Sequence, residues 1–164
     1  MSVLLTASLS AALPLSAASH VDVVKMRTEN RVNPLGIGTS TPRFSWQITS
    51  DRKGVVQTSY QILVASSREK LDRNEADLWD SGERNSDEQL WIPYQGKALL
   101  SGAQAYWKVR ITTNKGKSEW TEPQLFTIGL LGETKWSGTW IGLEDLQPGE
   151  QKGMHTRLAA RYIR

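Results

Sequence analysis

Cysteine is absent from the 164-residue sequence, and histidine occurs at two positions, His20 and His155. Without cysteine the chain cannot form disulfides, provide a thiolate nucleophile, or hold an iron–sulfur cluster or a cysteine-ligated zinc ion. Two histidines that lie so far apart in sequence do not indicate a metal site. We therefore expect neither a bound metal nor a cofactor.

An excess of charge of one sign is also missing. The sequence has 20 Lys and Arg residues against 17 Asp and Glu residues, a net charge of +3. Its basic cluster of Arg68, Lys70 and Arg73 is interleaved with acidic residues, which is typical of a solvated surface. Nucleic-acid binding favours a stripe of one sign with exposed aromatic rings. We therefore expect no nucleic-acid partner.

The N-terminus holds an apolar run that is too short for a membrane span. Residues 1–19 contain no charge, are interrupted by serine and by Pro14, and end in Ser-Ala-Ala-Ser. A span needs roughly 20 strongly apolar residues, whereas a small-residue ending suits signal peptidase. The run lacks the usual basic residue at its start. We predict a signal peptide over 1–19, a secreted or periplasmic protein, and no membrane span after cleavage; the alternative is a retained anchor.

Short alternating segments separated by turn residues occupy the next 110 positions. The predicted strands are 21–26, 43–49, 57–65, 78–82, 89–94, 105–112 and 124–128. One helical turn, capped by Ser67, is predicted over 66–71. About seven strands at this spacing indicate an all-β, antiparallel β-sandwich over residues 20–129.

The composition changes after this sandwich. Residues 130–155 are rich in glycine and polar residues and are predicted to be a linker or domain junction. Residues 156–164 become apolar again and stop abruptly. We interpret them as the start of a following domain, from which the chain has been cut.

Catalytic patterns are not found. Asp77, Asp80 and Glu83 cluster in sequence, but glycoside hydrolysis needs two carboxyls about 5–10 Å apart beside a pocket. We interpret this cluster as a solvated loop. Gly116-Lys117-Ser118 ends like a phosphate-binding loop, but Ile111 stands where that loop needs glycine, which favours a hairpin turn.

Tryptophan is the one abundant residue with a functional interpretation, since seven are present against two phenylalanines. Indole rings stack on sugar faces, so carbohydrate or domain contacts are conceivable at four positions. These are Trp91, Trp120, Trp136 and Trp140. The competing interpretation is that Trp46, Trp79 and Trp107 fill the core while the other four brace loops and a domain junction.

Seven sequence segments together resemble the N-terminal module of bacterial α-L-rhamnosidases. They are RTENRVNPLGI (27–37), PRFSW (42–46), QTSYQILVASS (57–67), LWDSG (78–82), YWKVR (106–110), SEWTE (118–122) and WIG (140–142). The resemblance implies an immunoglobulin or fibronectin type III-like sandwich that precedes further β-sandwich domains and an (α/α)6 barrel. It also implies that 157–164 open the next sandwich.

The catalytic acids of that family lie in the barrel, and no residue here matches them. The resemblance therefore implies a non-catalytic accessory module of a secreted enzyme that hydrolyses terminal α-L-rhamnose with inversion. Its partners would be the downstream domains of the same polypeptide. Two alternatives remain: a carbohydrate-binding module, and an extracellular adhesion or receptor module with a protein partner.

Overall fold

The computed structural model describes residues 21–132, which lie within one compact unit. They form nine strands and one short helix. These are β1 (Val21–Thr28), β2 (Arg43–Ser50), β3 (Gln57–Ala65), α1 (Arg68–Asp72), β4 (Trp79–Asp80), β5 (Arg84–Asn85), β6 (Ile92–Pro93), β7 (Gln104–Thr113), β8 (Gly116–Lys117) and β9 (Gln124–Thr127). The predicted signal peptide and most of the predicted linker, together with residues 156–164, lie outside the described residues.

The strands form two antiparallel sheets. The smaller sheet has the order β1-β2-β6. In the larger sheet the order is β4-β3-β7-β8, with β5 also paired to β3 and β9 paired to β7. The long pairing of β3 with β7 runs from Gln57 opposite Thr113 to Ala65 opposite Tyr106. This arrangement confirms the predicted all-β, antiparallel sandwich.

The core lies between the two sheets because alternate residues of β2, β3 and β7 are apolar and point inward. Phe44 and Trp46 of β2 are at most 1% exposed. Opposite them lie alternating apolar residues of the larger sheet. These are Tyr60, Ile62 and Val64 of β3 and Trp107, Val109 and Ile111 of β7. The ring centres of Phe44 and Trp107 are 4.5 Å apart, so the two sheets meet through aromatic contact.

The outer face of the larger sheet carries a second apolar cluster. Leu63 and Ala65 of β3 pack there with Leu71 of α1. The helix begins after Ser67, whose Oγ accepts a hydrogen bond from the Lys70 N–H at 3.4 Å. Strand β3 is therefore apolar on both faces, and the predicted helical turn covers the second one.

Lys108 is buried, although the alternation of β7 predicts that it points outward into solvent. It lies on the face opposite Trp107, as the alternation predicts, but that face is covered by α1. Its Nζ donates hydrogen bonds to the Leu71 carbonyl and to Asn74 Oδ1. Removal from water lowers the pKa of Lys108, because burial disfavours the charged amine.

Two predicted strands are shorter than expected. The 89–94 strand is reduced to Ile92–Pro93, because Trp91 adopts a φ of 60°, which is incompatible with an extended strand. The 78–82 strand ends at Asp80, whose Oδ1 accepts a hydrogen bond from the Gly82 N–H and closes a turn.

Candidate functional site

The carboxylate cluster of Asp77, Asp80 and Glu83 is used to hold loops. Asp77 accepts hydrogen bonds from the Ser66 N–H and hydroxyl and forms an ion pair with Lys70 Nζ at 2.7 Å. Asp80 accepts from Gln61, and Glu83 accepts from Ser59 at 2.8 Å. The cluster therefore fastens the segment after α1 to the larger sheet, which agrees with its interpretation as a loop.

Several carboxyls of the described domain have pKa values that are shifted in the direction opposite to that of a general acid. An acid that donates a proton near neutral pH has a raised pKa. Hydrogen bonds to Ser59 and Thr112 lower the pKa of Glu83, and the Arg43 side chain lowers that of Glu29. Burial alone would raise the pKa of Asp77, but hydrogen bonds from Lys70 and Ser66 outweigh it and lower the pKa to about 2.

Asp77 gives a testable pH dependence. Its folded-state pKa of about 2 lies below its ordinary value of 3.8, so its stabilising effect is present above pH 3.8 and is lost as the pH falls toward 2. The side chain is 32% exposed, so solvent screening reduces this effect to about 1 kcal/mol. Asp77→Asn should therefore be less stable than the wild type at pH 7 and equally stable at pH 2, as measured by urea unfolding.

Asp87→Asn, at an exposed carboxyl of the 86–88 loop, is the matched control and should change stability little at either pH. An Asp77→Asn defect that persists unchanged at pH 2 would contradict the ionic origin of the effect.

Single carboxylates line four of the grooves on the described domain. These grooves have volumes of about 300 to 590 Å³, and the lining of each includes one carboxylate. These are Asp87, Glu122, Glu88 and Glu29. Among residues 21–132, no group of three His, Asp or Glu side chains is arranged to hold a metal ion, and no helix is long and apolar enough to cross a bilayer.

The seven tryptophans divide into three classes. Trp46, Trp79 and Trp107 are 1%, 9% and 0% exposed, which confirms the prediction that they fill the core. Trp136 and Trp140 lie outside the described residues. Trp91 and Trp120 are the two whose surroundings bear on a surface function.

Trp91 is the exposed aromatic ring of the smaller sheet. It is 47% exposed, and the Arg43 guanidinium lies 4.3 Å from its ring centre. Glu29 also binds that guanidinium, accepting hydrogen bonds from Nε at 3.0 Å and from Nη2 at 2.8 Å. The Trp91 N–H donates to Ser45 Oγ, which fixes the left-handed backbone at this position. The result is an aromatic platform beside a charged hydrogen-bonding pair.

Trp120 lies against the outer cluster of the larger sheet. It packs against that cluster, and the Arg110 guanidinium lies 4.4 Å from its ring centre. Lys108 Nζ is 5.1 Å from the same ring. Trp120 thus braces the covered face of the sheet and is separate from the face that carries Trp91.

A third surface was not predicted from the sequence. Leu35, Leu100 and Leu130 are 73%, 73% and 62% exposed, and their backbone segments meet where the chain leaves the sandwich. We call these three leucines the exit surface. The sequence contains a sign of this surface. Leu35 lies between Pro34 and Gly36, and Leu100 precedes Ser101 and Gly102, and an apolar side chain is unexpected among such turn residues.

Hydrogen bonds join the three segments. The Gly129 N–H donates to the Ile37 carbonyl at 2.8 Å, and the Gly102 N–H donates to the Ile128 carbonyl at 3.0 Å. The Leu131 N–H donates to Ser101 Oγ at 2.9 Å. The chain after β9 is therefore held between the Leu35 loop and the Leu100 loop.

Comparisons with known proteins agree with the observed fold. A family model described as the Rha78A-like, N-terminal immunoglobulin domain matches residues 23–132. An α-L-rhamnosidase of Formosa agariphila is 39% identical over 127 residues, which cover 76% of this chain and 13% of that protein. An α-L-rhamnosidase of Alteromonas sp. is 36% identical over 138 residues, which cover 83% of this chain and 15% of that protein.

A solved structure shows the same arrangement. The crystal structure of Streptomyces avermitilis α-L-rhamnosidase complexed with L-rhamnose aligns with a TM-score of 0.69 and 36% identity. The alignment covers 75% of this chain and 12% of that one. The chain therefore spans about one eighth of the length of the α-L-rhamnosidases it matches.

Proposed function

Because the chain belongs to the family of Rha78A-like N-terminal immunoglobulin domains, we propose that it is the non-catalytic N-terminal module of a secreted bacterial α-L-rhamnosidase. The observation that carries the proposal is the identity of 36 to 39% to α-L-rhamnosidases of which the chain spans 13 to 15%. The remaining polypeptide of such an enzyme would supply the active site.

The chemistry would take place outside the described residues. Hydrolysis of terminal α-L-rhamnose with inversion requires one carboxyl as general acid and a second that activates water. In the described domain, every carboxyl whose pKa is altered has a lowered pKa. They are Glu29, Glu69, Glu75, Asp77 and Glu83. This supports a structural rather than a catalytic use of these side chains.

An activity comparison tests the proposal. The purified 164-residue chain and the complete polypeptide encoded by its gene are each incubated with an aryl α-L-rhamnoside. We expect release of rhamnose by the complete polypeptide alone, with the first-formed anomer inverted in proton NMR spectra. Hydrolysis by the 164-residue chain would contradict a non-catalytic role. A reading frame that stops after Arg164 would contradict the assignment to a larger enzyme.

Export is the second part of the proposal. Strand β1 begins at Val21, so cleavage within 16–19 would leave the first strand whole. The intact mass of protein recovered from the periplasm or medium should lack the first 16 to 19 residues. Recovery of the uncleaved chain from the cytoplasm would overturn this part.

Carbohydrate binding is a second candidate function, favoured by the exposed ring of Trp91 beside Arg43 and Glu29. Stacking on a sugar face with hydrogen bonds from a flanking charged pair would bind a rhamnoside weakly. Titration with L-rhamnose and a rhamnoside should then shift the Trp91 indole N–H signal in NMR spectra, and Trp91→Ala should abolish binding.

Leu90→Ala is the matched control, since Leu90 precedes Trp91 and is 65% exposed. It should leave binding unchanged. Absence of any saturable shift in the wild-type spectrum would remove this candidate.

A further inference from the structure

We propose that the exit surface is the docking face for the domain that continues beyond Arg164 in the parent polypeptide. The proposal deepens the function proposed above and rests on it. It assigns to the module a fixed contact rather than a flexible tether. Three features support it: the exposure of Leu35, Leu100 and Leu130, the way the chain leaves the sandwich, and the length of the related proteins.

The three leucines are unusual because the segments that carry them are joined to one another. Monomeric proteins tolerate single exposed apolar residues, whereas contiguous apolar patches mark contact sites. Leu90 and Val56 are also exposed, but they lie on other segments. In contrast, the segments that carry Leu35, Leu100 and Leu130 are joined to one another by backbone hydrogen bonds.

The connection out of the sandwich is firmly held. Thr127 accepts from the Gly36 N–H through its Oγ1 at 2.8 Å, and its own N–H donates to the Pro34 carbonyl. A Cβ added at Gly129 would lie 3.0 Å from the Gly36 carbonyl oxygen, so the two backbones are in direct contact. The path of the chain up to residue 132 is therefore fixed by contacts with the sandwich.

A groove beside Leu35 offers a recess that a side chain of a docked domain can fill. It has a volume of about 480 Å³, and its lining combines Leu35, Pro34 and Ile37 with the charged residues Glu29 and Arg31. An apolar side chain of a docked domain could enter it and cover Leu35. The groove offers a recess, and the exposed side chains of Leu100 and Leu130 on the neighbouring segments offer projections.

The length of the relatives identifies the occupant. The matching family is defined as an N-terminal domain, and the relatives are about seven times longer than the matched region. The polypeptide beyond the sandwich starts at the exit surface, so it is present there at a high effective concentration. A tethered domain therefore covers these leucines more readily than a separate partner does.

Hydrogen exchange measured by mass spectrometry tests the contact. The complete polypeptide is compared with the 164-residue chain for peptides that cover 33–37, 99–103 and 127–131. We expect exchange in these peptides to be slowed by about tenfold or more in the complete polypeptide, with little change in peptides around Leu90.

Paired variants distinguish the docking face from general surface effects. Leu100→Ser/Leu130→Ser should abolish the extra protection in the complete polypeptide, whereas the matched control Leu90→Ser/Val56→Ser should retain it. All four side chains are more than half exposed, so the melting temperature of the 164-residue chain should be the same for both variants and the wild type.

Other outcomes would overturn the docking face or the proposed enzyme separately. Equal exchange in the complete polypeptide and the 164-residue chain overturns the docking proposal. Self-association of the 164-residue chain that is lost in Leu100→Ser/Leu130→Ser, without protection in the complete polypeptide, also overturns it, because a second copy is then the occupant. Protection in a polypeptide without rhamnosidase activity supports docking and overturns the proposed enzyme, so the two failures are distinguishable.

Discussion

Replacement of Trp107 by alanine is expected to lower the free energy of unfolding of the module by about 4 kcal/mol. Trp107 is fully buried at the centre of β7, where its ring meets Phe44 of the opposite sheet. Its removal leaves a large cavity at the contact between the sheets, which neighbouring side chains cannot fill. Since domains of this size are stable by about 5–15 kcal/mol, the loss is a large share of the stability and should move the unfolding midpoint to a clearly lower urea concentration.

The measurement is urea unfolding of the 164-residue chain followed by circular dichroism. Trp107→Phe is the informative companion, because the Trp107 Nε1–H is buried and has no hydrogen-bond partner among the described residues. Phenylalanine keeps an aromatic ring and loses no hydrogen bond. Trp107→Phe should therefore lower the free energy of unfolding by only about 1–2 kcal/mol. Similar losses in the two variants would show that ring volume is not what joins the sheets.

Gln57→Leu is expected to lower the free energy of unfolding by about 3 kcal/mol, although the substitution makes the core more apolar. Gln57 is 2% exposed at the start of β3. Its Oε1 accepts from Trp46 Nε1 at 3.0 Å, and its Nε2 donates to the Ser86 and Glu88 carbonyls at 3.0 and 2.9 Å. Leucine would leave the indole N–H and two carbonyls without these partners.

Two control variants test whether the loss comes from the hydrogen bonds of Gln57 rather than from the general effect of replacing glutamine by leucine in a strand. Gln47→Leu changes an exposed glutamine on β2 and should alter stability by less than about 0.5 kcal/mol. Trp46→Phe/Gln57→Leu removes the buried indole donor together with its acceptor, so it should cost less than the sum of the single changes. Strict additivity would contradict the assigned hydrogen bond.

The outer face of the larger sheet is covered, whereas the outer face of the smaller sheet is open. The outer face of the larger sheet is covered by α1 and Trp120, and the Lys108 amine is hydrogen-bonded there to the Leu71 carbonyl and Asn74. The smaller sheet keeps its outer side open, with Trp91 and Arg43 on it. The proposed sugar contact at Trp91 is therefore expected on the smaller sheet, and the proposed domain contact at the exit surface.

The sequence alone determined the architecture. Alternation of apolar residues with period two predicted β3 with its observed bounds and placed Trp46, Trp79 and Trp107 in the core. These features depend on neighbours within a strand, which are visible in a linear pattern. The cap at Ser67 was predictable for the same reason, because its hydrogen bond is local.

The tertiary structure decided which polar residues are buried and which apolar residues meet at the surface. Lys108 is buried because α1, more than 30 residues earlier in the chain, lies across it. Trp91 leaves the extended conformation in a segment that alternates like a strand. Leu35, Leu100 and Leu130 form one surface because strand pairing brings three distant segments together. Such contacts depend on long-range packing, which no local sequence pattern encodes.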